Sequence, residues 1–220
     1  MTSAAGVVDL AFTLAGERLP RDHATALWRA LSGALPWLAD VVELAIPPIR
    51  AAVLADGSLA VNRRSRLTLR LPETRVPAAL ALCGTTLAVG AARLGVERAM
   101  TRALLPHGTL YSQRVACAAD DEAAFVQEVA AALAALGLGG DFICGRRAAC
   151  QGPDGELAGF SLMLTGLRPK DSLQLQVAGL GPHRRLGFGV FVPHRSTAAV
   201  GGDLEYGERR ALRRGAPGRG

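Results

Sequence analysis

Two histidines sit where phosphate chemistry would use them. His23 follows Pro20-Arg21-Asp22 at the start of a predicted helix, and His183 lies inside the stretch AGLGPHRRLGFGVFVPHRS, residues 178–196. An imidazole titrates near neutrality, so it can take a proton from a hydroxyl or return one to a leaving oxygen. A helix N-terminus tends to keep a nearby imidazole neutral, which suits His23 to the part of a base. In the second stretch Gly179, Gly181, Gly187 and Gly189 let backbone N–H groups approach a ligand, and Arg184 and Arg185 lie between them. No acidic residue occurs from Ser172 to Gly202. A glycine-rich, acid-free loop with paired arginines suits a phosphate cradle, in which His183 is a second candidate for acid or phosphate-positioning work.

The wider charge pattern points the same way. The 220 residues carry a net charge of +6, and the pI is about 9.9, which favours an anionic partner. Lys170 is the only lysine. Arginine binds phosphate through paired N–H groups and stacks on bases, although GC-rich codon usage produces the same bias. Placement therefore counts for more than residue choice. Three groups are candidate RNA-backbone contacts: Arg63, Arg64, Arg66 and Arg70; Arg146 and Arg147; and Arg184, Arg185 and Arg195. Arg21 would add charge beside His23. A solvated face is the alternative for each. Tyr111 is a candidate for orienting a phosphate, with half-buried core as its alternative; His107 reads as structural, and His194 as structural or a minor RNA contact.

The four cysteines form no C-x-x-C pair and no histidine stands at ligand spacing, so neither metal nor cofactor is expected. Met1 to Leu14 lacks a basic segment followed by an apolar one and reads as a strand rather than a signal peptide. No apolar run approaches the roughly 20 residues of a membrane span. These features predict a cytoplasmic, reduced protein with no membrane partner.

These groups need a scaffold, and half of the residues are hydrophobic, enough for a packed core. The pattern predicts strand Val7–Leu14, a helix from Pro20 ended early by Pro36, strands Ala51–Leu54 and Ser65–Leu71, helix Glu73–Cys83, and one or two strands in Thr86–Ala103. Arg66 and Arg70 alternate with leucines, which predicts a half-buried strand with a cationic outer face. The order then repeats. Strand Leu110–Cys117 is followed by a helix capped by Asp120 and Asp121, then by strands Phe142–Cys150 and Phe160–Leu167. Pro169–Ala178 alternates like a strand but opens like a helix, and the repeat favours helix; Gly187–Val192 closes the series as a strand. The predicted fold is α+β: two tandem ferredoxin-like (βαββαβ, RRM-like) units over residues 1–106 and 107–200, with a flexible basic tail over 201–220. The first unit would carry His23 and the second the glycine-rich loop.

The motif G-L-G-x-x-R-x-L-G-x-G-x-F-x-P-H, residues 179–194, resembles the glycine-rich loop of the RAMP superfamily. LPRDHATALWRAL, SRLTLRLP and FSLMLTGLRPKDSLQLQ extend the likeness over nearly the whole chain to about Val200. Within the superfamily the chain is most similar to the CRISPR-associated endoribonucleases that cut precursor CRISPR RNA, in the short form of myxobacterial-type systems. The resemblance implies cleavage of repeat RNA without metal. A 2′-hydroxyl attacks the adjacent phosphate, and the products are a 2′,3′-cyclic phosphate and a 5′-hydroxyl. It implies that a histidine on or near the first helix, here His23, serves as base or acid. CRISPR repeat RNA and its hairpin would be the partner, with other subunits of a Cascade-type effector complex as further candidates. Two rivals remain open: a non-cleaving RNA-binding subunit that caps the crRNA 3′ hairpin, and an unrelated ferredoxin-like enzyme acting on a small phosphorylated or acyl substrate.

Overall fold

Alternating apolar residues make Val7–Ala15 a strand (β1), and the computed structural model places it at the centre of a sheet. The structure describes residues 6–117 and 121–194. Asp120, Arg195 and the tail 201–220 lie outside the described residues.

After the two-residue strand β2 (Arg18–Leu19), helix α1 spans Ala24–Ala34 and buries Leu27 and Leu31. It ends before Pro36, as expected, and Pro36–Asp40 continues as a 3-10 turn. Short strands β3 (Ala52–Val53) and β4 (Leu59–Ala60) follow, then β5 (Arg66–Pro72). The predicted helix Glu73–Cys83 is broken. Only Val76–Ala79 (α2) is α-helical, flanked by 3-10 turns at Glu73–Arg75 and Leu80–Leu82. Pro77 sits in its first turn, and a segment this short has few bonds to repay nucleation. Strands β6 (Thr86–Val89) and β7 (Ala92–Ala103) complete the half.

The first sheet runs β5-β1-β7-β6, with every pair antiparallel. This departs from the expected chain order. The 52–60 hairpin does not join the main sheet; it pairs with β2 in a separate three-stranded sheet. The hairpin of the main sheet is β6–β7, after α2 rather than before it. The apolar residues of this half, from Leu10 to Val96, make one core.

The second half comprises β8 (Leu110–Ala116), α3 (Glu122–Ala135), β9 (Asp141–Gln151), β10 (Glu156–Thr165), α4 (Pro169–Ala178) and β11 (Val192–Pro193). Its sheet runs β11-β8-β10-β9, the order expected for strand, helix, strand, strand, helix, strand. The Asp121 carboxylate accepts the Ala123 and Ala124 N–H groups and caps α3. Phe125, Val129 and Leu133 then face a separate core running from Leu110 to Phe191, and the Phe125 and Phe160 rings stack at 4.8 Å. Helix α4 occupies the predicted span despite its alternating sequence.

The final strand is where sequence and structure part most. Of the predicted strand Gly187–Val192 only Val192 enters β11. Gly187 and Gly189 have φ of 81° and 61°, so the chain coils back instead of extending. The Gly189 N–H donates to the Arg114 carbonyl at 2.6 Å, and its own carbonyl accepts from Leu180 N–H at 3.1 Å. A Cβ at Gly189 would lie 1.9 Å from the Leu180 oxygen, so this fold-back requires glycine.

Arg70 is the other correction. It does not belong to a cationic outer face but is 0% exposed. Its guanidinium grips both oxygens of Asp9, at 2.7 and 3.0 Å, and donates to the carbonyls of Gln176 and Phe191 at 2.9 and 2.8 Å. At Arg70 the face of β5 that alternation marks as outward is covered by the second half, whereas Arg66 and Thr68 on that face stay partly exposed. Arg70 is thus a clamp that ties the first sheet to α4 and to the segment before β11. No helix among the described residues is long and apolar enough to cross a membrane.

Candidate active site

His23 is the N-cap residue of α1 and is 6% exposed. Pro20 and Asp22 shape the turn before it. The Nδ1–H of the ring donates to the Pro20 carbonyl at 2.9 Å, with the Arg21 carbonyl at 3.2 Å. Two carbonyls at Nδ1 select the tautomer protonated there, which leaves the lone pair on Nε2. Burial pushes the His23 pKa below its ordinary value and the Arg114 guanidinium pushes the same way, against the two carbonyls and Asp22. At neutral pH the ring is an uncharged acceptor.

The recess that His23 lines is shared with Arg114, Arg185, Pro48 and Leu186. The second half is bound to the start of α1 here. Thr25 Oγ1 donates to the Gln151 carbonyl at 2.5 Å, and the Gln151 N–H donates to Asp22 at 2.7 Å. Beneath lies a small apolar cluster of Cys150, Leu186 and Phe188, with Ala24 and Trp28 against it. Arg185 donates to the Ala39 and Val41 carbonyls at 2.6 and 3.2 Å and lies 5.3 Å over the Trp28 ring. Its charge is therefore held in place beside α1.

Arg114 is the site residue that sequence reasoning missed. It sits on β8 with its guanidinium 4.8 Å from the Phe188 ring centroid and its side chain hydrogen-bonded to Cys150, while its Nε is buried with no hydrogen-bond partner among the described residues. A buried N–H donor costs free energy unless something accepts from it. One signal was available: Arg114 is the lone charge in the strand LYSQRVA.

The other predicted residues are dispersed. Arg21 is exposed next to His23. Arg184 donates to the Val177 carbonyl at 2.6 Å and is largely spent on the loop itself. Gly179 packs against it, and Gly187 is buried against Pro48. His183 is exposed, in the left-handed conformation at φ 66°, and lines a different cavity from His23, together with Gly181. Arg63 and Arg64 are exposed ahead of β5, and the Arg66 guanidinium donates to the Arg63 and Ser65 carbonyls. Arg146 and Arg147 are exposed on β9. Tyr111 packs on His194 at 5.4 Å, and the His107 N–H donates to Ser172.

The thiols do not offer a nucleophile here. Burial pushes Cys144 up to about 11 and also raises Cys150. Among the described residues no group of three His, Cys, Asp or Glu could hold a metal ion. The recess thus offers a neutral acceptor and two fixed cations, the set needed to deprotonate a hydroxyl beside a phosphate.

Comparison with known proteins first gives the class. The fold matches that of a solved structure described as an RAMP protein binding different RNA substrates, with a TM-score of 0.59 at 10% identity, over 84% of this chain and 98% of that one. A second, a CRISPR associated protein Cas6, has a TM-score of 0.62 at 11% identity, over 86% of this chain and 100% of the other. The fold is of the RAMP type. The family model described as Cas6 Crispr matches residues 8–196. The CRISPR-associated endonuclease Cas6 of Myxococcus xanthus (strain DK1622) is 34% identical over 194 residues, 88% of this chain and 84% of that protein. The chain belongs to the Cas6 family and is an endonuclease of that family.

Proposed function

We propose that the protein matures CRISPR repeat RNA by metal-independent transesterification in the recess at the start of α1. His23 Nε2 takes the proton of the ribose 2′-hydroxyl. The freed O2′ attacks the adjacent phosphorus, the P–O5′ bond breaks, and O5′ leaves with a proton. The products are a 2′,3′-cyclic phosphate and a 5′-hydroxyl. Arg114 and Arg185 balance the charge that gathers on the phosphorane oxygens. The observation that carries this reading is the juxtaposition of a neutral, tautomer-fixed His23 with the Arg114 guanidinium in one recess.

The glycine-rich loop and the exposed Arg63, Arg64, Arg146 and Arg147 hold the RNA. Arg70 is removed from that set because it is the buried clamp. His183, in a separate cavity, is assigned to holding RNA rather than to proton transfer. In architectural terms we read residues 107–200 as a ferredoxin-like unit, and residues 1–106 as a unit of the same sheet geometry with its hairpin moved behind α2. The recess forms where the two meet. The protein acts in the cytoplasm, and a Cascade-type effector complex is the proposed recipient of the product.

The test is cleavage of labelled repeat RNA from the protein's own locus, with protein in excess and EDTA present. His23→Ala abolishes cutting and leaves repeat binding nearly intact, whereas His183→Ala weakens binding and still cuts at saturation. Full cutting by His23→Ala refutes the assignment. Binding without product in the unaltered protein instead favours a non-cleaving RNA-binding subunit.

A further inference from the structure

A second cavity, larger than the His23 recess, lies elsewhere among the described residues. It lies between α3, one end of β8 and β10, and the glycine-rich loop, with a volume of about 440 Å³. That is within the roughly 300–1,000 Å³ range of small-molecule sites. Its floor is apolar, formed by Phe125, Val129 and Leu157. Its polar groups are the Glu128 and Glu156 carboxylates and, from the loop, His183. Glu128 receives a weak thiol donor, from Cys117 at 3.5 Å.

This combination rejects phosphate and accepts a base. Two carboxylates repel an anion, and an ionised carboxylate is an acceptor with no N–H to give. The apolar floor suits a flat, poorly hydrated ring. The loop that closes one side is the segment proposed to hold the RNA backbone, so a nucleotide passing along it can turn its base inward. Single-stranded RNA is commonly read through such splayed bases. Among the four bases guanine presents adjacent N1–H and N2–H donors on one edge, the match for a single carboxylate.

We propose that this cavity seats one unstacked guanine of the bound RNA, its paired N–H donors accepted by Glu128. The proposal rests on the RNA-processing reading above and adds a base-specific subsite to it.

The experiment replaces each guanosine of the repeat RNA in turn by inosine, which lacks the N2 amino group. Dissociation constants are measured for the full-length protein and for Glu128→Gln. Glu128 is exposed, and equal unfolding midpoints confirm that the variant folds. One position is expected to cost the unaltered protein about tenfold, the scale of a hydrogen bond to a charged group. In Glu128→Gln the guanosine RNA already binds about tenfold more weakly, and inosine at that position costs nothing further. If no guanosine position couples to Glu128 while the protein still binds and cuts the repeat, the subsite is refuted and the processing reading stands. If a different base couples instead, the guanine assignment is refuted. If the protein binds no repeat RNA, both readings fall.

Discussion

Replacing Arg70 by Met tests the clamp between the two halves. The substitution keeps the length of the side chain but removes four hydrogen bonds: two to Asp9 and one each to the Gln176 and Phe191 carbonyls. Each buried carbonyl left without a donor costs about 1–3 kcal/mol. Asp9 keeps some access to water, its side chain being 21% exposed, which softens the loss of its partner. Breaking one side of a buried pair costs about 3–5 kcal/mol in total. At roughly 2–4 °C per kcal/mol for a chain of this size, the unfolding midpoint falls by roughly 6–20 °C. Thermal unfolding followed by circular dichroism reads this directly. Replacing Asp9 by Asn in the same chain recovers part of the loss, since no lone carboxylate is then stranded. The opposite result is equally legible. An unchanged midpoint, with weaker RNA binding and a salt dependence about one unit shallower, would make Arg70 a phosphate contact and refute the clamp.

Four other outcomes follow from the site and its loop. The single-turnover cleavage rate is flat above neutrality and falls on the acid side with a midpoint below 6.5, because burial and Arg114 both lower the His23 pKa. Arg114→Gln moves that midpoint upward and lowers the plateau by roughly 10²–10³-fold, the loss expected for one charge-stabilising donor. The same shift has a stability consequence. The unfolded chain binds a proton to His23 before the folded one does, so stability drops as pH falls from about 6.5 toward the folded value, and His23→Gln removes that slope in denaturant titrations. Gly189→Ala drives a Cβ to within 1.9 Å of the Leu180 oxygen, whereas at Gly181 the nearest atom is 3.8 Å away. The first substitution lowers stability by roughly 2–4 kcal/mol and the second by about 1–2, as measured by urea unfolding.

Several elements could be read from local pattern alone. Pro169-Lys170-Asp171 marked α4 even against an alternating sequence, because a proline in the first turn and an early acid fit a helix start. His23 was legible as a helix-start histidine. Its hydrogen bonds to two carbonyls were not, since they depend on the fold of the 20–23 turn. Arg70 misled because a period of two reports which face a residue is on, not what lies against that face. Arg114 stayed hidden for the complementary reason. A single arginine in a strand carries no pattern, and its importance comes from Phe188 and His23, each more than seventy positions away. The glycines of the loop were recognised as a backbone device. Their positive φ values are set by the close packing on Leu180 and Arg114, and they make a coil of a segment whose composition predicts a strand.

The chain distance across the recess has a bearing on how the enzyme is made. Arg185 reaches the Ala39 carbonyl across 146 positions, and Arg70 reaches Phe191 across 121. His23 is among the first residues synthesised, and Arg185 among the last of the described ones. At about 5–20 residues per second, roughly 10–30 s separate their appearance during translation. Throughout that interval the histidine has neither Arg114 nor Arg185 held against it by a folded second half. On the proposed assignment of His23, a chain that ends before the glycine-rich loop does not cut, and cutting begins only once Arg185 has been made and the second half has folded against α1.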